Sequence, residues 1–161
     1  VTELATPEDQ RTAASRVGAV VELQSIRLLA SACNLLNDPI PGQVISQLDV
    51  RAGTSIEGNV LVVRTGYFAT AMQRDEAGGE MAAWTASCEW LLDYTFPNVG
   101  DVDPSDAESF ALVSSVFSTH PYARAYFQRV TGEMGYPPLI LGVMKSPVDE
   151  IHTQVREGAP A

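Results

Sequence analysis

At 161 residues, with 45% apolar and 19% charged side chains, the chain has the size and make-up of one globular domain that needs no disulfide or metal to fold. Its net charge of −10 excludes the basic footprint that a phosphate backbone requires, so nucleic acid is not an expected partner. Nine Asp or Glu and no Lys or Arg fall between Asp75 and Phe110. That run reads as a solvated acidic edge or, more sharply, as a docking face for a basic partner.

Thr6-Pro7-Glu8-Asp9 opens a helix: Thr6 suits the N-cap, Pro7 the first turn, and the two acids the positive helix end. Ala13, Val17 and Val20 continue it at helical spacing, so a helix is predicted over about residues 7–20. Ile26, Leu28 and Ala30 then alternate with Ser25, Arg27 and Leu29 as a first strand. The stretch from Asn34 to Gly42 is a loop by its prolines, Asn-Asp pair and glycine, yet it carries Leu35, Leu36 and Ile40. Val44 to Arg51 is a second strand, with Gly53 and Glu57-Gly58-Asn59 marking the turn; Val60 to Gln73 is a third, and Asp75 to Glu80 is a hairpin connection.

Met81 to Phe96 is the clearest strand. Trp84, Ala86, Cys88, Trp90, Leu92, Tyr94 and Phe96 fall on one face, and Thr85, Ser87, Glu89, Leu91, Asp93 and Thr95 on the other. Such a strand is covered on one side and wet on the other, as in an antiparallel sheet with helices on one face. Asp103-Pro104 starts a helix with Phe110, Val113 and Phe117 in its stripe, and Ser118 to Pro121 is expected to interrupt it. The next helix carries Tyr122, Tyr126 or Phe127, Val130 and Met134, and ends near Gly135. Tyr136 to Gly142 is extended and apolar, and Val148, Ile151 and Val155 suggest a short last helix. The organisation expected is α+β: an N-terminal helical extension (1–20), a main domain (21–156) and a frayed tail (157–161).

Catalytic signatures are missing. There is no Gly-rich phosphate loop, no His-x-x-x-His, no paired Cys spacing and no Gly-x-Ser-x-Gly, so no catalytic residue, metal site or cofactor is expected and the chain is not read as an enzyme. His120 precedes a proline at a helix start, where capping or packing is the usual role, and His152 lies among polar neighbours. Glu89 cannot activate Cys88, because adjacent strand residues point to opposite faces. With Cys33 and Cys88 its only cysteines, and neither a secretory leader nor a spanning helix read, the chain is expected in the reducing cytoplasm, with no membrane partner.

His120-Pro121-Tyr122-Ala123-Arg124, followed after the helix by Tyr136-Pro137-Pro138-Leu139-Ile140-Leu141, resembles the SecB chaperone family, as does Cys88-Glu89-Trp90 on the fourth strand. The order of elements agrees from about Val21 to Val155. The resemblance implies a SecB-like fold, a four-stranded antiparallel sheet with helices packed on one face, assembled as a homotetramer (a dimer of dimers). It implies an ATP-independent holdase for unfolded, apolar-rich polypeptides, serving protein export or protecting the antitoxin of a toxin–antitoxin system. It assigns client binding to Leu35, Leu36, Ile40, Met134, Tyr136, Leu139 and Leu141, and assembly to Cys88, Trp90 and Leu92. It assigns partner docking to Glu89 and Asp93. On the first strand the family's docking acids are replaced by Ser25 and Leu29, which weighs against docking of the SecA motor. The residues also admit a small-ligand-binding or enzymatic α+β domain, with a pocket between the Trp84/Trp90 face and the helices, and a purely structural assembly subunit.

Overall fold

The computed structural model describes residues 6–142 and the strand Thr153–Glu157. Four long strands form an antiparallel sheet: β1 Glu22–Leu35, β2 Gln43–Glu57, β3 Val60–Arg74 and β4 Glu80–Thr95. A short fifth, β5 Thr153–Glu157, completes the order β1-β4-β3-β2-β5. The consecutive strands β2, β3 and β4 make a meander. Gly58 opens the β2–β3 turn at φ +62°, a conformation that glycine adopts without steric cost. β1 does not pair with β2. The loop after it crosses over, so that β4 lies between β1 and β3. Gly42 ends this crossover where a Cβ would overlap the Arg74 carbonyl oxygen.

β1 and β2 run further than their sequence patterns indicate, whereas β3 and β4 match theirs to within one residue at each end. Gly53, expected in a turn, is inside β2 opposite Arg64. An added Cβ there would meet nothing, so the residue is neither strained nor in the way. β4 alternates as its sequence requires: Trp84, Ala86, Cys88, Leu92 and Tyr94 are buried on one face. Together with Tyr67, Ala69 and Ala71 of β3, the first three join a core with Val116, Ala123, Phe127 and Val130 from the helices. Leu92 and Tyr94 join a second core with Leu61, Val63 and Phe110.

The N-terminal helix α1, Pro7–Gly18, is capped reciprocally, Thr6 and Asp9 each bonding the other's backbone N–H. It sends Ala14 and Val17 into the second core. Arg16 clasps Asp106 through two bonds of 2.8 and 2.7 Å. The guanidinium holds the Asp106 carboxyl below the usual carboxylate range. Its contribution is therefore present above the unfolded carboxylate pKa and is lost as pH falls through the depressed one.

After β4 comes one continuous helical run: α2 Pro104–Phe110, a π-helical turn Ala111–Ser115, and α3 Val116–Glu133. The interruption thus falls before residue 118, and Pro121 lies inside α3. Pro121 deprives only the Phe117 carbonyl of its helical donor, and in and next to the π turn before it hydroxyl groups add bonds to the carbonyls. Ser118 donates to Ser114 O, Thr119 to Ser115 O, and Tyr67 from the sheet to Val116 O. The wide turn also rotates the face that follows. Val116, Thr119, His120, Ala123 and Phe127 point inward, whereas Phe117 and Tyr122, expected in the buried stripe, are about half exposed.

Helix α3 ends at Gly135, φ +83°. Of the predicted last helix, Val148, Ile151 and His152 lie outside the described residues. Val155 falls in β5, whose backbone pairs with Gln43–Gln47 of β2 rather than forming a helix. Thr153 and Val155 are β-branched and favour extended backbone, and the edge of β2 supplies a ladder. Glu157 ends that strand, and the remaining tail, 158–161, lies outside the described residues.

Tyr67→Phe removes the hydroxyl that bonds Val116 O at 2.8 Å in a dry interior. Urea unfolding followed by tryptophan fluorescence is expected to show a loss of about 1–2 kcal/mol.

Candidate functional site

The crossover loop is held from beneath. The Leu36 and Asn37 N–H groups both bond Ala83 O of β4, and the Asn37 side chain reaches Ala82 O at 2.7 Å. Gln73, buried on β3, donates to Asp38 O and accepts from the Ile40 N–H. From the other side the Tyr136 hydroxyl donates to Asn37 O at 2.8 Å. With its backbone fixed in this way, the loop's start leaves Leu35 47% and Leu36 49% exposed. Two large aliphatics held open to solvent by a rigid loop form an apolar lip, and Ile40 is half-buried behind it.

The segment after α3 behaves differently. Tyr136, Leu139 and Leu141 are buried in the first core. The Leu139 N–H bonds the Thr131 hydroxyl at 2.8 Å, and His120 Nε2 donates to Gly142 O at 2.7 Å. These three residues support the surface from below and do not present themselves on it. Met134 is partly buried against the same core. Of the seven residues that the sequence pointed to for client binding, Leu35 and Leu36 are thus open, and Ile40 and Met134 are half covered.

Cys88 and Leu92 are fully buried within the chain, so neither meets a second copy directly. Burial pushes the Cys88 thiol up to about 11, the setting of an inert core cysteine. Trp90 is less covered, and its ring stacks obliquely on Tyr122 with centroids 5.1 Å apart. The exposure of several apolar groups on β1 and the helical run was not evident from the sequence. Leu28 lies opposite Trp90 in the ladder and is about half exposed, as are Leu29, Leu112 and Phe117. A signal for β1 was present: large aliphatics stand on both parities of that strand, unlike a strand with one wet face. For the helix it was not, because a π turn has no residue signature of its own.

The outer face of the sheet holds Glu89 and Asp93, on the side away from the helices as expected. Both acids are already paired. Arg64 Nε lies 2.6 Å from Glu89, while Arg27 and the Ser25 hydroxyl each lie 2.7 Å from Asp93. Beside Glu89 the Phe68 ring lies over Gly66, where a Cβ would come within 2.7 Å of it, and Arg51 stands 5.0 Å above the ring. Five of the seven other acids of the run are also engaged. Glu80 pairs with Arg74 and Asp106 with Arg16; Asp103 caps α2, and Asp75 and Asp101 close turns. Glu76 and Glu108 are exposed, so the run is a solvated edge whose charge is compensated in part.

The space between Trp84 and the helices, where a ligand pocket was the competing expectation, is filled by Tyr67, Val116 and Phe127. Among the described residues no three of His, Cys, Asp and Glu gather as a metal set, and no helix is long and apolar enough to cross a membrane. Ellman titration at pH 8 is expected to count one thiol, Cys33, in the folded protein and two in denaturant, since Cys33 is exposed and Cys88 is not.

No family model matches the chain. It is 25% identical to the SecB-like chaperone MT2006 of Mycobacterium tuberculosis (strain CDC 1551 / Oshkosh), across 87% of this chain and 86% of that protein. A solved structure, the Mycobacterium tuberculosis Rv1957 SecB-like chaperone in complex with a ChAD peptide from the Rv1956 HigA1 antitoxin, matches its fold. The TM-score is 0.72 and the identity 22%, covering 83% of this chain and 97% of that one. The chain thus has the fold of that SecB-like structure, and its sequence is similar to that of a SecB-like chaperone along most of its length.

Proposed function

We propose that this chain is an ATP-independent holdase that keeps an unfolded polypeptide soluble in the cytoplasm, with the apolar stretch of an antitoxin as its client. The observation that carries the reading is the Leu35–Leu36 lip, apolar and open on a loop tied down at four carbonyls. It is supported by the likeness to a chaperone whose solved structure holds an antitoxin peptide. A client side chain laid against this lip gains about 25 cal/mol for each Å² of apolar surface covered. The contact is non-directional, so client choice is broad and affinity accumulates through several contacts along one chain. The net charge of −10 keeps such a surface soluble between clients.

Protection of an antitoxin is favoured over export. A basic motor needs free acids on the outer face, and Glu89 and Asp93 are already neutralised by Arg64 and Arg27. Assembly into a homotetramer uses the exposed apolar groups along β1 and the helical run, namely Leu28, Tyr122, Phe117 and Leu112, with the half-buried Trp90 of β4 beneath Tyr122 and Cys88 and Leu92 in the interior of the same strand.

Light scattering of a denatured client after dilution tests the function. The parent protein is expected to suppress it without ATP, and the pair Leu35→Asp, Leu36→Asp is expected to lose about five-tenfold in potency while unfolding within about 0.5 kcal/mol of the parent. A parent protein that suppresses nothing, with an antitoxin or with any other unfolded chain, refutes the reading. Sedimentation tests the assembly: Tyr122→Asp is expected to dissociate it, and Glu89→Lys on the outer face to leave it intact.

A further inference from the structure

The two sides of β2 are occupied unequally. Toward β3 every residue from Gln43 to Glu57 is paired. On the opposite edge β5 pairs with Gln43–Gln47 alone, and among the described residues no strand lies against Leu48–Glu57. A bare edge of this length offers a row of unpaired N–H and C=O groups to any extended chain. The surface beside it suits an unfolded, apolar-rich chain. Val44, Leu48, Val50 and Ala52 on the helix-facing side are only partly covered by the first core. Every second side chain of an added strand would fall on that row.

β5 already shows the edge in use. It is a segment of the chain's own C-terminal region, five residues long and antiparallel to β2. So short a strand adds little stability of its own, and it holds its place because its covalent tether keeps its local concentration high. A longer strand, continuing along Leu48–Glu57, makes more ladder bonds than β5 does.

We propose that the β2 edge takes an extended segment of an unfolded polypeptide by strand addition, and that β5 is the chain's own competitor for the Gln43–Gln47 end. The inference rests on the holdase reading above and adds to it a second contact surface and a means of regulating access. Client affinity is then set by the difference between two strands on one edge, not by the apolar lip alone. A segment that covers Leu48–Glu57 first can displace β5 stepwise from the far end.

The test locks β5 in place. Gln47 and Thr153 are opposed in the ladder. Opposed residues in an antiparallel pair have Cα atoms about 4.5–5.5 Å apart, within disulfide range. The full-length chain carrying Gln47→Cys and Thr153→Cys, with Cys33→Ser to remove the exposed thiol, is compared oxidised and reduced. The probe is fluorescein-labelled, reduced and carboxymethylated α-lactalbumin, which stays unfolded. The oxidised form is expected to bind about fivefold more weakly than the reduced one, since the competitor has become permanent. Gln154→Pro and Val155→Pro form a second arm. Successive N–H groups of a strand point to opposite edges, so one of the two removes a ladder bond and is expected to bind the probe about threefold more tightly. Equal affinity of the oxidised and reduced forms overturns the inference and leaves the holdase reading standing. Disulfide formation between two molecules instead of within one also overturns it, because the edge then belongs to a second copy. Failure of the parent chain to bind the probe overturns both.

Discussion

The helical run and the sheet are keyed together at one dry junction of hydroxyl groups. Tyr67 reaches from β3 to the Val116 carbonyl, its oxygen lies 2.9 Å from the Thr119 hydroxyl, and Thr65 donates to Thr119 at 3.0 Å. Apolar packing alone would let a helix roll on a sheet at small cost, because it has no direction. A buried hydroxyl left without a partner costs far more, so this cluster fixes the rotation of α3. Burial raises the pKa of Tyr67 well beyond its ordinary value, which keeps the phenol neutral and able to donate at any physiological pH. From this one rotation follows much of what the surface shows. Phe127 and Val130 turn inward, Phe117 and Tyr122 turn out, and Trp90 acquires Tyr122 as its cover.

The same economy governs charge. A chain with twice as many acids as bases places three of its ten cations, Arg27, Arg51 and Arg64, on a single sheet face. Exposed pairs of this kind add little to stability. Their effect is on the character of the surface: the outer-face acids Glu89 and Asp93 each face an arginine, while among the described residues the apolar lip at the end of β1 stays open and no strand lies along Leu48–Glu57 of β2.

Much of this was legible from the residues. The alternation of β4 gave its two faces, and Thr6-Pro7 and Asp103-Pro104 gave two helix starts, because caps and period-two patterns act locally. The lip at Leu35 and Leu36 was visible as aliphatics misplaced in a Pro/Asn/Gly loop. The pairing of β1 with β4 was hidden, since four successive strands read alike whether the first joins the second or the last. Tyr136, Leu139 and Leu141 were legible as apolar but not as buried, which depends on the Thr131 and His120 anchors that meet them in space. Pro121 misled because an interior proline costs a helix one bond, here the one to the Phe117 carbonyl, and the packing of α3 on the sheet carries that loss.

The crossover has a consequence for how the chain comes into being. During synthesis α1 and β1 emerge before β2–β4, but among the described residues β1 pairs with β4 alone, and the helix that α1 clasps through Arg16 and Asp106 comes later still. The β2–β3–β4 meander can close by neighbouring contacts as it leaves the ribosome, whereas β1, with Leu23, Leu28, Leu29 and Leu35, must wait with its backbone unpaired. The nascent protein thus passes through a stage in which its α1–β1 segment has the character of an unfolded, apolar-rich chain, the kind of client proposed for the finished molecule.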